Sequence, residues 1–334
     1  MTTSHSSNPH YTLRSDPDRP KSDRKQPRVD TMERVHTASG RALVLGGAGS
    51  AGNAWLIGVV AGLFEVGLDV TEADLTIGTS AGATAAAQIT SGVSPSDLLT
   101  NILAAPPWPP SGSVGSDRGP APNGPAPDHM EQTGAVIAAA ENPADMRRKM
   151  GAAALETDAA SHGSAQVQWR ATIAARLPNQ NWPQRQLLIP AVDAHTGEPV
   201  VFDENSGVDL VDAIAASTSN GFGVPPYDIG GNRYINGGYR RNENADLAAG
   251  YARVLVLSPF GGRSRYPLDW GMHLGAQVDE LRARGSGVQT IFPDANSEHM
   301  FGANAMDLSL RPAAARAGYD QGKSFAEQLS EFWN

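Results

Sequence analysis

The 334-residue sequence contains no cysteine. That absence excludes a disulfide framework, a thiolate metal site and a cysteine nucleophile, and it fits a reducing compartment, the cytoplasm. Basic residues are outnumbered by acidic ones, 26 to 35, which leaves a net charge of -9. Such a chain has no sequence-independent attraction for polyphosphate, so nucleic acid is not an expected partner. The amino terminus lacks an apolar segment followed by a small-residue cleavage site. The longest apolar run, Ala54 to Phe64, is interrupted by Gly58 and Gly62. It falls short of the ~20 residues needed to cross a hydrocarbon core, so a soluble protein, at most peripheral on a membrane, is expected. No histidine spacing suits zinc, and Asp203-Glu204 reads as a solvated acidic pair; neither metal nor other cofactor is expected.

Hydrophobic residues make up 40% of the chain, enough for one large α/β domain with appendages. Met1 to about Thr37 mixes both charge signs with prolines and almost no large apolar residues, and reads as a disordered tail; the boundaries are set at 1–38 and 39–334. Order is expected from Arg41-Ala-Leu-Val-Leu45, an apolar run typical of a strand buried on both faces. A glycine-rich turn follows, then a helix from Asn53 to about Gly67. Asp74 to Ile77 reads as a second strand, Gly78 to Gly82 as a tight turn and Ala83 to about Thr90 as a helix. Two strand-turn-helix units in tandem imply a mostly parallel sheet covered by helices, a three-layer α/β/α arrangement. A further helix begins near Ser94-Pro95-Ser96-Asp97. Pro106 to about Pro127 is rich in Pro, Gly and Ser and reads as an inserted loop able to act as a lid; Met130 to Leu177 is helix-forming, and 105–165 is taken as the insertion. Strand character resumes at Gln186–Asp193 and Pro199–Phe202, a helix at about Val208–Ser217, and a hairpin around Gly230-Gly231-Asn232. Arg253–Ser258 and Gly287–Phe292 are further strands, and Arg311 to about Phe332 a closing helix.

The sharpest chemical signal is Gly78-Thr79-Ser80-Ala81-Gly82. A G-x-S-x-G turn between strand and helix lifts a serine hydroxyl clear of the backbone, at a helix amino terminus where developing negative charge is favoured. The second signal is the run Gly46 to Gly52. Its amides can face an anion, either a dinucleotide pyrophosphate or the oxyanion of acyl transfer. Gly47-x-Gly49-x-x-Gly52 fits both, but the dinucleotide reading wants an acidic residue closing the second strand, and that strand runs into the serine turn instead. An oxyanion nest beside a nucleophile on adjacent strand ends is the coherent alternative. His195, His273 and His299 follow the serine in sequence, yet a Ser-His-Asp site normally has several strands before its elbow, and here there is one.

The early glycine-rich loop, the Gly78–Gly82 elbow one strand later and Asn236-Gly237-Gly238 after a hairpin together resemble the patatin-like phospholipase family, over about Arg41 to Gln321. The resemblance implies a lipid acyl hydrolase acting on a lipid or acyl-ester substrate without a cofactor. It implies Ser80 as nucleophile, Gly47, Ala48 and Gly49 as the oxyanion hole, and Gly52, Gly78, Gly82, Gly237 and Gly238 as motif glycines. The family's base is an aspartate in an Asp-Gly-Gly or Asp-Gly-Ala turn, and its position is held here by Asn236, whose neutral amide cannot accept the serine proton. Three explanations stand open: a site retained for lipid or protein binding with activity lost or reduced; another carboxylate, Asp246, Asp228 or Asp193, acting as base; or deamidation at Asn236-Gly237. The loop departs further with Ala48 for a common third glycine, which backbone amides tolerate, and Ala51 for a frequent basic residue, which weakens attraction to anionic headgroups.

Overall fold

The computed structural model describes residues 37–105, 126–158 and 164–334. The expected tail through residue 36 and residues 106–125 of the expected lid lie outside the described residues. An eight-stranded sheet organises the chain, in the order β5-β6-β3-β2-β1-β7-β8 with β4 also paired to β3. The centre of its parallel set is β1 (Thr37–Leu45), flanked by β2 (Leu75–Gly78) and β7 (Tyr251–Leu257). The parallel set continues to β3 (Gln186–Asp193) on one side and β8 (Gly287–Ile291) on the other. Beyond Leu188, β3 pairs antiparallel with β4 (Pro199–Phe202) and β6 (Asn232–Asn236), and β6 with β5 (Tyr227–Ile229). Gly230 and Gly231 join β5 to β6 at φ of 64° and 88°, the left-handed pair that a tight hairpin requires.

Alternation along the strands builds the layers. Leu43 and Leu45 face the larger core with α1 (Gly49–Glu65), α2 (Ala81–Ile89), α3 (Pro95–Ala104), α7 (Leu210–Thr218) and α9 (Arg311–Trp333). Ala42 and Val44 face the opposite core, with Leu274, Val278 and Leu281 of α8 (Leu274–Ala283). A third cluster packs α4 (Ala126–Ala138) and α5 (Pro143–Asp158) against Val192 and Ile235, while α6 (Ser164–Ala174) lies on α7. Both faces of the parallel strands are thus covered, which is why those strands read as unbroken apolar runs. One local expectation shifts. α1 starts at Gly49, four residues before the expected start, because Ala51 N–H finds an acceptor in Ala305 O (2.9 Å) and Gly52 N–H in Ala48 O (3.1 Å). The helix-forming stretch from Met130 is helical, in three segments, α4, α5 and α6.

The glycines that break the apolar run of α1 have a packing role. A Cβ on Gly58 would lie 2.1 Å from Ala315 O, and one on Gly62 2.2 Å from Tyr319 O. Reciprocally, a Cβ on Gly318 would lie 2.2 Å from Trp55 O, and one on Gly322 2.3 Å from Val59 O. A pair of glycines at i, i+4 on each helix therefore lets the two backbones touch, and Trp55 Nε1 donates to Gln321 Oε1 (2.8 Å) across the contact. Gly62→Ala is expected to lower stability by about 2 kcal/mol in spite of alanine's better helix propensity, because backbone atoms cannot yield as side chains do. A thermal or urea melt of the variant measures this; a melt at or above that of the parent protein would refute it.

Candidate active site

The carboxyl ends of β1 and β2 lie side by side, Leu45 opposite Gly78. Ligand sites of open α/β sheets form at such ends. The chain leaves β2 through Thr79 and reverses at Ser80, which has φ 55° and ψ -118° and caps α2. A non-glycine residue held at positive φ costs about 1–3 kcal/mol, so the surroundings must over-determine it. They do. Gly82 packs so closely that a Cβ there would lie 2.1 Å from Leu45 O, Gly82 N–H bonds Thr79 O (2.8 Å), and Ser80 N–H donates to the buried Ser217 Oγ of α7 (3.0 Å). The Ser80 hydroxyl is left half-exposed at the amino end of α2.

Beside it, the chain leaves β1 through Gly46 and Gly47 and enters α1. Gly47 approaches Ser80 so closely that a Cβ on it would sit 3.2 Å from Ser80 Cβ. Its N–H is directed at Asn242 O (3.3 Å). The amides of Ala48, Gly49 and Ser50 meet no acceptor among the described residues, and neither does that of Ala81. Gly49 turns the loop into the helix at φ 61°. Unpaired amides at two helix amino termini beside a serine are donors of the kind suited to an oxyanion.

The third element is the turn after β6. Asn236 Nδ2 donates to Ser80 Oγ (2.9 Å), and Asn236 Oδ1 accepts Gly238 N–H (2.8 Å). A backbone N–H can only donate, so the amide oxygen must face Gly238 and the NH₂ end must face Ser80. Asn236 N–H is itself anchored on Ser219 O (2.8 Å), just past α7, and Gly237 lies against Pro190 O of β3, where a Cβ would be 2.1 Å away. Ser80, Asn236 and the glycine loop, far apart in sequence, are thus assembled in one place.

A family model for patatin-like phospholipase matches residues 43–249, a span that contains all three elements. The chain belongs to the patatin-like phospholipase family. Membership places it among hydrolases of the patatin type, and the parallel sheet is that fold. Among solved structures it is similar to VipD from Legionella pneumophila, with a TM-score of 0.41 and 14% identity over 87% of this chain and 67% of that one. It is also similar to the type III effector protein ExoU, with a TM-score of 0.38 and 15% identity over 88% of this chain and 53% of that one. No curated protein sequence matches it.

In this member of the family no histidine hydrogen-bonds Ser80 among the described residues. His195 lies in the turn after β3, His299 Nδ1 meets Asn296 O (2.9 Å), and His273 caps α8. The three other carboxylates are engaged elsewhere. Asp193 accepts from His195 N and Thr196 N (both 2.9 Å), Asp228 from Gly231 N (3.1 Å), and Asp246 pairs with Arg240 (Nη1–Oδ1 2.9 Å). No helix among the described residues is long and apolar enough to cross a membrane, and no group of three metal-ligating side chains occurs among them.

Glu243, which nothing in the sequence pattern singles out, lies 1% exposed beneath the glycine loop. Its Oε1 accepts from Asn242 Nδ2 (2.9 Å) and Ser258 Oγ (2.8 Å), and its Cγ is 3.4 Å from where a Cβ on Gly46 would be. With Asn242 and Gly238 it lines a cavity of about 100 Å³ beside the Asn236 turn. Burial raises its carboxyl above the ordinary carboxylate range, against the opposing hydrogen bonds from Asn242 and Ser258. The folded state therefore holds this proton more tightly than the unfolded chain does. The associated stability is complete below the unfolded carboxylate value and is lost as pH rises through the higher folded value. Melting temperatures across that acid-to-neutral window are expected to fall more steeply for the parent protein than for Glu243→Gln, which does not titrate. Parallel curves would show that Glu243 does not titrate abnormally.

Proposed function

We propose that this chain hydrolyses a carboxylic ester of a lipid at Ser80. The observation that carries the reading is the strained Ser80 elbow, hydrogen-bonded to Asn236 at 2.9 Å beside a helix terminus with unpaired amides. In this reading Ser80 Oγ attacks the ester carbonyl, the carbonyl oxygen becomes an oxyanion on the amides of Ala48 and Gly49, and the alcohol departs. Water then attacks the acyl-serine and releases the acid. Gly47 shapes the loop against Ser80 and does not donate, since its N–H is taken by Asn242. Asn236 orients the nucleophile and stabilises negative charge on Oγ by donating to it, but it takes no proton; the Ser80 proton leaves to solvent. No cofactor enters any step, and the substrate is met by peripheral contact with a lipid surface.

The orientation of the Asn236 amide also favours a second reading. A donor facing Oγ supports binding of an acyl ester without turnover, a patatin-like site kept for lipid or protein recognition. Covalent labelling with a fluorophosphonate, read by mass spectrometry at Ser80, separates the two. Asn236→Asp leaves an oxygen on Gly238 N–H and places a carboxylate oxygen where Nδ2 now lies, so it is expected to raise the labelling rate by about 10²–10⁴. Slow labelling of Ser80 in the parent protein, lost in Ser80→Ala, supports hydrolysis. Labelling confined to Asn236→Asp supports the binding reading, and labelling in neither protein refutes the nucleophile.

A further inference from the structure

The family match ends at residue 249, yet the amino end of α1 is covered by a segment far beyond it. Ala305 O accepts Ala51 N–H (2.9 Å), and Arg311 Nη1 donates to Ser50 O (2.9 Å) and Ser50 Oγ (3.2 Å). Both terminal nitrogens of Arg311 also reach Asn53 Oδ1 (3.2 Å each). The segment between Ala305 and Arg311 is therefore pinned at both ends to the first turn of α1. Between the pins stands Met306, with Sδ 2.9 Å from the place a Cβ on Gly49 would occupy. The residue is 56% exposed and joins none of the hydrophobic clusters. A large apolar side chain at that exposure, on an anchored segment and against a loop with unpaired amides, contributes little to the core.

We propose that Met306 is a specificity-determining contact for the acyl chain of the substrate. This rests on the reading of Ser80 as an acyl-transfer nucleophile. An ester whose carbonyl oxygen sits on the Ala48 and Gly49 amides must carry its substituents past this loop, and the apolar one gains by lying on the thioether. An unbranched, polarizable methionine adapts to chains of different shape better than a branched residue, so the wall selects apolar character more than one length. Because residues 302–311 lie outside the family-matched span, this wall is a property of the chain's own carboxyl-terminal part.

The test is the rate of Ser80 labelling by an ethyl and an octyl phosphonofluoridate, in which the Ser80 Oγ–P bond forms as fluoride leaves. The octyl probe is expected to label faster than the ethyl probe in the parent protein. Met306→Ser is expected to lower the octyl-to-ethyl rate ratio by about tenfold, the scale on which hydrophobic contacts discriminate, and Met306→Leu to restore most of it. An unchanged ratio in Met306→Ser, or an equal loss of both rates, would overturn the assignment while leaving the nucleophile intact. No labelling of Ser80 by either probe would overturn the nucleophile and this inference together.

Discussion

The contact on which the site depends is the seat of Gly82 on the carbonyl of Leu45. It brings the amino end of α2 against the end of β1, so that the chain leaving β2 has no room for a relaxed turn and reverses through Ser80 at positive φ. The same approach fixes the distance between the Ser80 elbow and the glycine loop that follows Leu45. A side chain larger than hydrogen at residue 82 would separate the two strand ends and pull Ser80 from the amides beside it. Parallel pairing of β1 with β2 in register makes the approach possible.

α7 supplies the complementary restraint. Ser217 Oγ holds the Ser80 amide and Ser219 O holds the Asn236 amide, so one helix end positions both members of the serine–asparagine pair through their backbones. Neither hydrogen bond senses the charge at residue 236. The geometry of the turn is carried by main chain, and the Asn236 side chain needs only one acceptor, its Oδ1 on Gly238 N–H, to close it.

The fold was legible where the signal is local. Two apolar runs, each followed by glycines and then by helical spacing, identify β1–α1 and β2–α2, because sheet burial and helix periodicity are written in neighbouring residues. The turn at Asn236 was legible as a turn after a hairpin for the same reason. What escaped depends on residues distant in sequence. Ser217 reads as the end of an apolar helix, Glu243 as a charge among polar neighbours, Met306 as part of a stretch before the closing helix, and Arg311 as no more than that helix's first residue. Arg311 does start that helix, and only its contact with Ser50 and Asn53 escaped; such contacts form when distant segments fold together, and no spacing rule encodes them. The early start of α1 has the same cause, since its first turn is completed by Ala305 and Arg311.

The glycine-lined contact between α1 and α9 joins two helices separated by most of the chain. During synthesis the α1 face has no partner until α9 has left the ribosome, so the pairing that anchors the first turn of the glycine-loop helix is among the last to form. Until then that face is an exposed apolar stripe, open to chaperones, and the segment that covers the candidate oxyanion loop is missing. The first turn of α1 in a nascent chain of this protein would thus stay incomplete until the segment from Ala305 to Arg311 arrives.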